Sequence, residues 1–278
     1  IKKISGILNG TTNYILTTMF EKNLTFSEAL SIAKSKGYTS DNEAKLDIGG
    51  VDSAHKLTLL ASLCYGSEIN FKNNDIHGIY NITISDIINA DKLGYKIKLI
   101  SESYINNEDI YCVTGPKLIN KNNPLANVDG VLNAVKIETD QLESLFLEGE
   151  GAGGLPTASS IISDLHEISS NTNIPSLGFN TNNLFNFKRM NYLDYESCFY
   201  LSIITKDMPG VLSQITKYFN ELNISIEKIL QVPENKNKDK LIPIIIFTHK
   251  AKKINLIKVI KKIENLDFVL DKIVTIPI

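Results

Sequence analysis

The sequence predicts an α+β protein: a mixed or antiparallel sheet carrying helices, followed by a separate ferredoxin-like βαββαβ unit. Three observations predict it. Apolar residues recur at helical spacing through the first 65 positions, and from Lys96 the pattern changes to short β-rich runs broken by Asn, Gly and Pro. After residue 195, strand, helix, strand, strand, helix and strand follow in the order of the split βαβ motif.

Within 12–35, Ile15, Met19 and Phe20, then Leu30 and Ala33, lie at helical spacing. Thr25 or Ser27 can cap a second helix over 27–36, which Gly37 closes. The polar stretch 38–45 reads as a loop. The helix after Gly49-Gly50 carries Val51, Ala54, Leu57, Leu60, Ala61 and Cys64 on one face. A polar break over 67–74 precedes an Ile-rich segment, and Ser85 opens a short helix over 86–93 that Gly94 stops. Strands are expected over 96–103, 110–116, 132–139 and 141–148, with a hairpin tip at 106–109. The glycine-rich run 149–154 leads into a helix from Pro156 to about Ser169, with proline at its start. Residues 170–191 are polar and aperiodic, so domains over 1–169 and 195–278 are expected, joined by a linker at 170–194. In the second domain the reading is strand 198–205, turn 207–210, helix 211–222, strand 224–233, a lysine-rich turn, strand 241–248, helix 254–263 and strand 269–276.

The bulk properties narrow the function. A chain of 278 residues, 43% hydrophobic, can bury about two domain cores. A formal net charge of −2 argues against a general nucleic-acid binder. The clusters Lys250–Lys253 and Lys258–Lys262 read as the solvated face of a helix. Three cysteines without paired spacing imply neither a disulfide framework nor a zinc site, and fit a reducing cytoplasm. The longest apolar runs are strand-length, so no membrane span is expected, and no signal peptide is visible. The chain opens on Ile1 with text that already reads as a strand entering a loop, and is expected to be a fragment.

Three segments could carry chemistry. In Asp47-Ile48-Gly49-Gly50-Val51-Asp52-Ser53-Ala54-His55-Lys56, Asp52 and Lys56 stand four apart and share a helix face. A carboxylate beside an ammonium keeps the lysine charged and able to move a proton at a carbonyl or hydroxyl oxygen. On spacing alone, a surface ion pair remains the ordinary reading. Asp47, in the preceding loop, could accept hydrogen bonds from a substrate. Histidines 55, 77, 166 and 249 are isolated from one another and suggest no metal site. Gly151-Ala152-Gly153-Gly154-Leu155-Pro156-Thr157 could bring bare backbone close to a ligand, although it is not a dinucleotide fingerprint. Asp207-Met208-Pro209-Gly210-Val211-Leu212 makes a tight turn whose N–H groups could receive a small carboxylate.

Together these segments resemble the homoserine dehydrogenase family, in order and over nearly the whole chain. The matching text is Gly6–Leu16, Gly37-Tyr38, Leu46-Asp47-Ile48, Gly50–Leu57, Leu93–Leu99 and Gly151–Ser159. The resemblance implies NAD- or NADP-linked interconversion of L-homoserine and L-aspartate 4-semialdehyde, toward threonine and methionine. It implies Lys56 as the proton-relaying lysine, Asp47 and Asp52 as groups that bind or orient homoserine, and Gly37 and Gly153 as nicotinamide contacts. The family's substrate-binding Glu after Gly-Tyr has no direct counterpart. Here the loop is one residue longer, and either Asp41 or Glu43 supplies the carboxylate, Asp41 being preferred. The C-terminal unit resembles an ACT domain, which implies an allosteric L-threonine effector near Asp207, Gly210, Val211, Leu212 and Gln231, and a homo-oligomer, dimer or tetramer. The family's dinucleotide loop, second catalytic lysine and sodium loop are absent from this text, so the chain alone is expected to be inactive. The rival expectation is an amino-acid-binding regulatory module without catalytic duty.

Overall fold

The computed structural model describes residues 1–72, 74–106, 108–170, 175, 177–231 and 241–278. They divide into two compact units, Ile1–Met190 and Asn191–Ile278.

The first unit opens with β1 (Lys3–Ile7), α1 (Gly10–Lys22), α2 (Phe26–Ser35), the single turn α3 (Ala44–Ile48) and α4 (Val51–Tyr65). Next come β2 (Asp75–Ile76), α5 (Ile84–Lys92), β3 (Tyr95–Asn106), β4 (Asp109–Asn120), β5 (Leu132–Glu138), β6 (Ser144–Glu150), α6 (Gly154–Ser169) and β7 (Lys188–Arg189). Local chemistry sets the helix starts. Thr25 and Glu28 form a capping box at α2, and Thr83 and Asp86 form one at α5, each satisfying N–H groups the first turn cannot. α2 starts one residue and α5 two residues before the expected positions; Thr25 is one of the two caps expected for α2, whereas Thr83, not Ser85, caps α5.

The sheet runs β2-β4-β3-β1-β5-β6, with β7 beside β4. The central strand β1 is antiparallel to β3 and β5, whereas β2 and β7 run parallel to β4, so the sheet is mixed. Ile4 and Ile7, three apart on a strand, face opposite sides. Ile4 and Leu8 pack with Leu57, Ala61 and Tyr65 of α4 and with Ile110 and Cys112 of β4. On the other side Ile7, Ile100, Ile119 and Ala134 meet Leu125, Ala126 and Val128. Leu57 is fully buried, and Leu57→Ala would cost ~3 kcal/mol. This packing fixes α4, and with it the ends of β1 and α1, as one rigid corner.

Several expectations need correction. β3 and β4 pair as a twelve-residue ladder, longer than expected, because they are joined directly at 106–109; Asn107 at that tip lies outside the described residues. β6 starts three residues late, since Thr139 closes a turn by accepting from Leu142 N and donating to Leu142 O. Asp47 sits on α3 rather than in a loop. The expected linker 170–194 carries contacts of its own: Phe185 bridges Ser67, Phe187 packs on the first core, and Arg189 donates to Cys112 Sγ and to the Asn70 carbonyl. Two-residue pairings leave no period in a sequence, so they read as loop. Residues 171–174 and 176 of that stretch lie outside the described residues.

The second unit contains β8 (Glu196–Ser197), β9 (Phe199–Lys206), α7 (Val211–Glu221), β10 (Ile226–Gln231), β11 (Leu241–Thr248), β12 (Ala251–Lys252), α8 (Lys253–Glu264) and β13 (Val274–Pro277). The antiparallel order β10-β11-β9-β13 is that of the ferredoxin-like unit. Val211, Ile215 and Phe219 of α7 and Leu256, Val259 and Ile263 of α8 bury one stripe each. The last strand begins at Val274, five residues late, with Val269 making only an isolated bridge to Thr205. The expected lysine-rich turn and residues 232–233 lie outside the described residues. Lys253 departs from the expected solvated face. Its ammonium lies 5.1 Å from the Phe199 ring centroid and 5.5 Å from that of Tyr192. Burial pushes it down to about 8.

Candidate active site

The site forms where β1, α2, α3 and α4 end or begin together. α2 closes in a Schellman motif: Gly37 N donates to the Lys34 carbonyl and Tyr38 N to that of Ala33. Gly37 holds a φ of +75, which a side chain would strain. The turn aims residues 38–43 back toward α1, where Thr11 Oγ1 donates to the Tyr38 carbonyl at 2.9 Å. Thr39, buried behind them, donates through Oγ1 to Asp47 Oδ2 at 2.8 Å.

Asp52 occupies the first turn of α4, where unpaired N–H groups favour a carboxylate. Lys56, one turn on, donates to Asp52 Oδ2 at 2.9 Å and to the Leu8 carbonyl at 3.0 Å. The exposed ion pair alone would be worth little. The second bond, to the end of β1, is what fixes the ammonium in place. Asn9 stands between the two acids: its Nδ2 donates to Asp47 Oδ1 at 2.8 Å and to Asp52 Oδ2 at 2.9 Å. Its Oδ1 accepts from Thr12 N at 2.8 Å, capping α1.

These groups line a cavity of about 690 Å³. Its wall includes Asp47, Asp52, Lys56, Glu43, Gly37 and Gly153, so six of the expected site residues come together. Asp41 does not line it. Its side chain is 88% exposed and pairs with Lys34 at 2.5 Å, whose hydrogen bond and charge hold the Asp41 carboxyl below the usual range. Glu43 does line the cavity, although exposed, and its Oε2 accepts from Ser40 N and Ser40 Oγ at 3.2 and 2.8 Å. Gly153, with a φ of +128, starts α6 without a side-chain cap, and the backbone of Gly151–Gly153 borders the cavity.

Asn9, Thr11, Lys36, Tyr38 and Asn133 also line the cavity and were not singled out from sequence. Asn9 and Thr11 lie inside the block Gly6–Leu16, and an Asn immediately before a helix reads as an N-cap. That one role conceals the other. Among the described residues no cluster of three or more His, Cys, Asp or Glu could hold a metal ion. His55 packs on Phe71 with the rings tilted at 47° and 4.1 Å between centroids. No helix among the described residues is long and apolar enough to cross a membrane.

In the second unit Asp207 and Gly210 are exposed in the turn after β9, with Val211 and Leu212 opening α7. β9 and β10 both run antiparallel to β11, so Gln231, at the end of β10, lies at the same end of the sheet as Asp207.

Residues 1–166 match the family model for homoserine dehydrogenase, and residues 199–268 match that for the ACT domain. A homoserine dehydrogenase of Pseudomonas aeruginosa is 37% identical over 257 residues, covering 90% of this chain and 59% of the relative. The crystal structure of a homoserine dehydrogenase from Thiobacillus denitrificans superposes with a TM-score of 0.89 at 33% identity, over 100% of this chain and 64% of that one. A hyperthermophilic archaeal homoserine dehydrogenase mutant in complex with NADPH matches with a TM-score of 0.51 at 30% identity, over 62% of this chain and 48% of that one. The chain spans about three-fifths of the length of the curated relatives it matches. With the family model covering more than half of it, the chain belongs to the homoserine dehydrogenase family and carries a C-terminal ACT domain.

Proposed function

We propose that this chain forms the homoserine-binding side of an enzyme that interconverts L-homoserine and L-aspartate 4-semialdehyde with NAD or NADP, on the route to threonine and methionine. One observation carries the reading: a lysine ammonium fixed at two points on the wall of a cavity that also displays Asp47, Asp52 and Glu43. Homoserine is a zwitterion with a terminal hydroxyl. Its ammonium suits the carboxylates, with Glu43 taking the part expected of the family's glutamate. Its carboxylate suits Lys36, the second cation on the wall. Its hydroxyl suits Lys56.

At Gly37 nothing lies within 4 Å of where a Cβ would stand, and at Gly153 only Pro156 does, at 3.5 Å. Bare backbone of this kind fits the edge of a nicotinamide ring, which when bound accepts or returns the hydride. In the direction that forms homoserine the Lys56 ammonium gives a proton to the substrate oxygen as the C–H bond forms, and in the reverse direction the neutral amine takes the hydroxyl proton as that bond breaks. Asp52 holds the lysine Nζ in place.

The ACT domain supports L-threonine as effector near Asp207, Gly210, Val211, Leu212 and Gln231. Self-association is part of the same proposal. α6 buries no residue of its own, and Leu155, Ile162 and Ile168 are exposed at 87%, 66% and 74%. A second copy would cover that apolar stripe. Three unpaired cysteines suit a reducing cytoplasm.

The test is turnover of the intact protein with L-homoserine and NADP⁺, wild type against Lys56→Ala. Near-normal turnover in the variant would sink the role given to Lys56. A purely regulatory module is the competing reading, favoured by the ACT domain, but such a module has no use for Asp47, Asp52 and Lys56 as a set. Calorimetry with L-threonine examines the effector: a folded oligomer that binds none would overturn it.

A further inference from the structure

We propose that Asn9 is a positioning residue that holds the Asp47 and Asp52 carboxylates together on one amide, an inference that rests on the homoserine-binding reading of this cavity.

An asparagine side chain has one acceptor and one doubly protonated donor. Thr12 N, in the first turn of α1, needs an acceptor and takes Asn9 Oδ1 at 2.8 Å. That bond fixes which end of the amide faces the site. Nδ2 is left pointing at the acids, and its two hydrogens go one to Asp47 Oδ1 and one to Asp52 Oδ2. Asn9 is only 5% exposed, so water cannot readily replace it.

Consider the electrostatics next. Asp47 arrives from α3 and Asp52 from α4, and two carboxylates meeting on a single nitrogen repel each other. Lys56 neutralises Asp52 but is not bonded to Asp47, whose other oxygen takes, among the described residues, the neutral hydroxyl of Thr39. The amide of Asn9 is therefore the one group bonded to both acids among the described residues. Asp52 Oδ1 remains without a protein hydrogen bond among those residues, available to an incoming ammonium or hydroxyl.

The helix cap supplies the control. Ser and Asp both cap helices well, so Asn9→Ser and Asn9→Asp keep the bond to Thr12 N while removing the amide donors. If Asn9 were only a cap, Asn9→Ser would behave as wild type. Under the proposal, Asn9→Ser keeps the wild-type melting temperature to within a few degrees, whereas Asn9→Asp loses stability because it buries a third carboxylate against the other two. In both, kcat/KM for L-homoserine falls on the order of 100-fold. Asn9→Asp adds a third carboxylate, so the acidic limb of its pH–rate profile moves to higher pH, whereas that of Asn9→Ser does not. In ¹³C NMR of the aspartate carboxyl carbons, the signals of both Asp47 and Asp52 move in Asn9→Ser. Unmoved carboxyl signals, or wild-type kcat/KM in both variants, would overturn the proposal. Lack of homoserine turnover in the wild-type protein would instead sink the proposed function, and the carboxyl signals would then still decide whether Asn9 orders the two acids.

Discussion

Lys56 stands one helical turn after Asp52, and its ammonium is shared between that carboxylate at 2.9 Å and the Leu8 carbonyl at 3.0 Å. A solvent-exposed pair on one helix would flicker; a lysine also bonded to the end of a central strand is held. Lys56→Met should lower kcat on the order of 1000-fold, with KM for homoserine changed far less, as expected for a group that moves a proton in the transition state. Steady-state kinetics decides it, and a KM effect with unchanged kcat would reassign Lys56 to ground-state binding.

The two acids of the 40–45 loop should separate cleanly. Glu43 lines the cavity while Asp41 is paired outward with Lys34. Glu43→Gln is expected to raise KM for homoserine roughly 10-fold or more, the cost of one charge-assisted hydrogen bond. Asp41→Asn should leave KM within about twofold, since an exposed pair contributes under ~1 kcal/mol. The reverse pattern would restore Asp41 as the substrate ligand.

Lys98 is 2% exposed, and its ammonium donates to Asn13 Oδ1, the Val128 carbonyl and Asp129 Oδ1 at 3.0, 2.6 and 2.8 Å. Burial lowers its pKa, with Asp129 acting against that. The bonds tie α1 to the loop before β5, which brings Val131 and, at the start of that strand, Asn133 onto the cavity wall. Lys98→Met strands Asn13 Oδ1 and leaves Asp129 without its cation, while the Val128 carbonyl keeps its bond from Asn13 Nδ2, and should destabilise the first unit by ~2 kcal/mol in urea unfolding. A loss below ~1 kcal/mol would show that the loop holds without it.

Lys253 predicts a pH dependence of stability. Unfolded lysine titrates near 10.4, whereas the folded group is pushed down to about 8 by burial. Between those values the unfolded chain holds one proton more. Stability should therefore rise from about pH 8 to about pH 10 and be lost again as pH falls through 8. The Tyr192 and Phe199 rings favour the ammonium and reduce the effect to on the order of 2 kcal/mol. Lys253→Met should be more stable at pH 7 and lose this slope, as followed by circular dichroism. A variant with the wild-type slope would place the titration elsewhere.

Much of this was legible in the sequence. The 3.6-residue period over 51–64 announced α4, and the spacing of Asp52 and Lys56 put them on one face of it. Gly37 was readable as a helix stop, and the order of elements after residue 195 as a ferredoxin-like unit. What could not be read depends on distant partners. Nothing near Asp41 or Glu43 in sequence says which lines the cavity; Lys34, seven residues before Asp41, draws it away. The docking of 185–189 rests on Ser67, Asn70 and Cys112, more than seventy residues upstream.

By itself, then, the sequence determined the family, the two-part plan and the identity of the acid–lysine set, because helix periods, caps and short motifs are local properties of the chain. Only the tertiary structure decided how that set is held. Lys56 takes its second bond from Leu8, 48 residues away, and Asn9 bonds Asp47 and Asp52 across 38 and 43 residues. A hydrogen bond is short and directional, and at such separations its partners are chosen by the packing of β1 against α4, which no local pattern encodes.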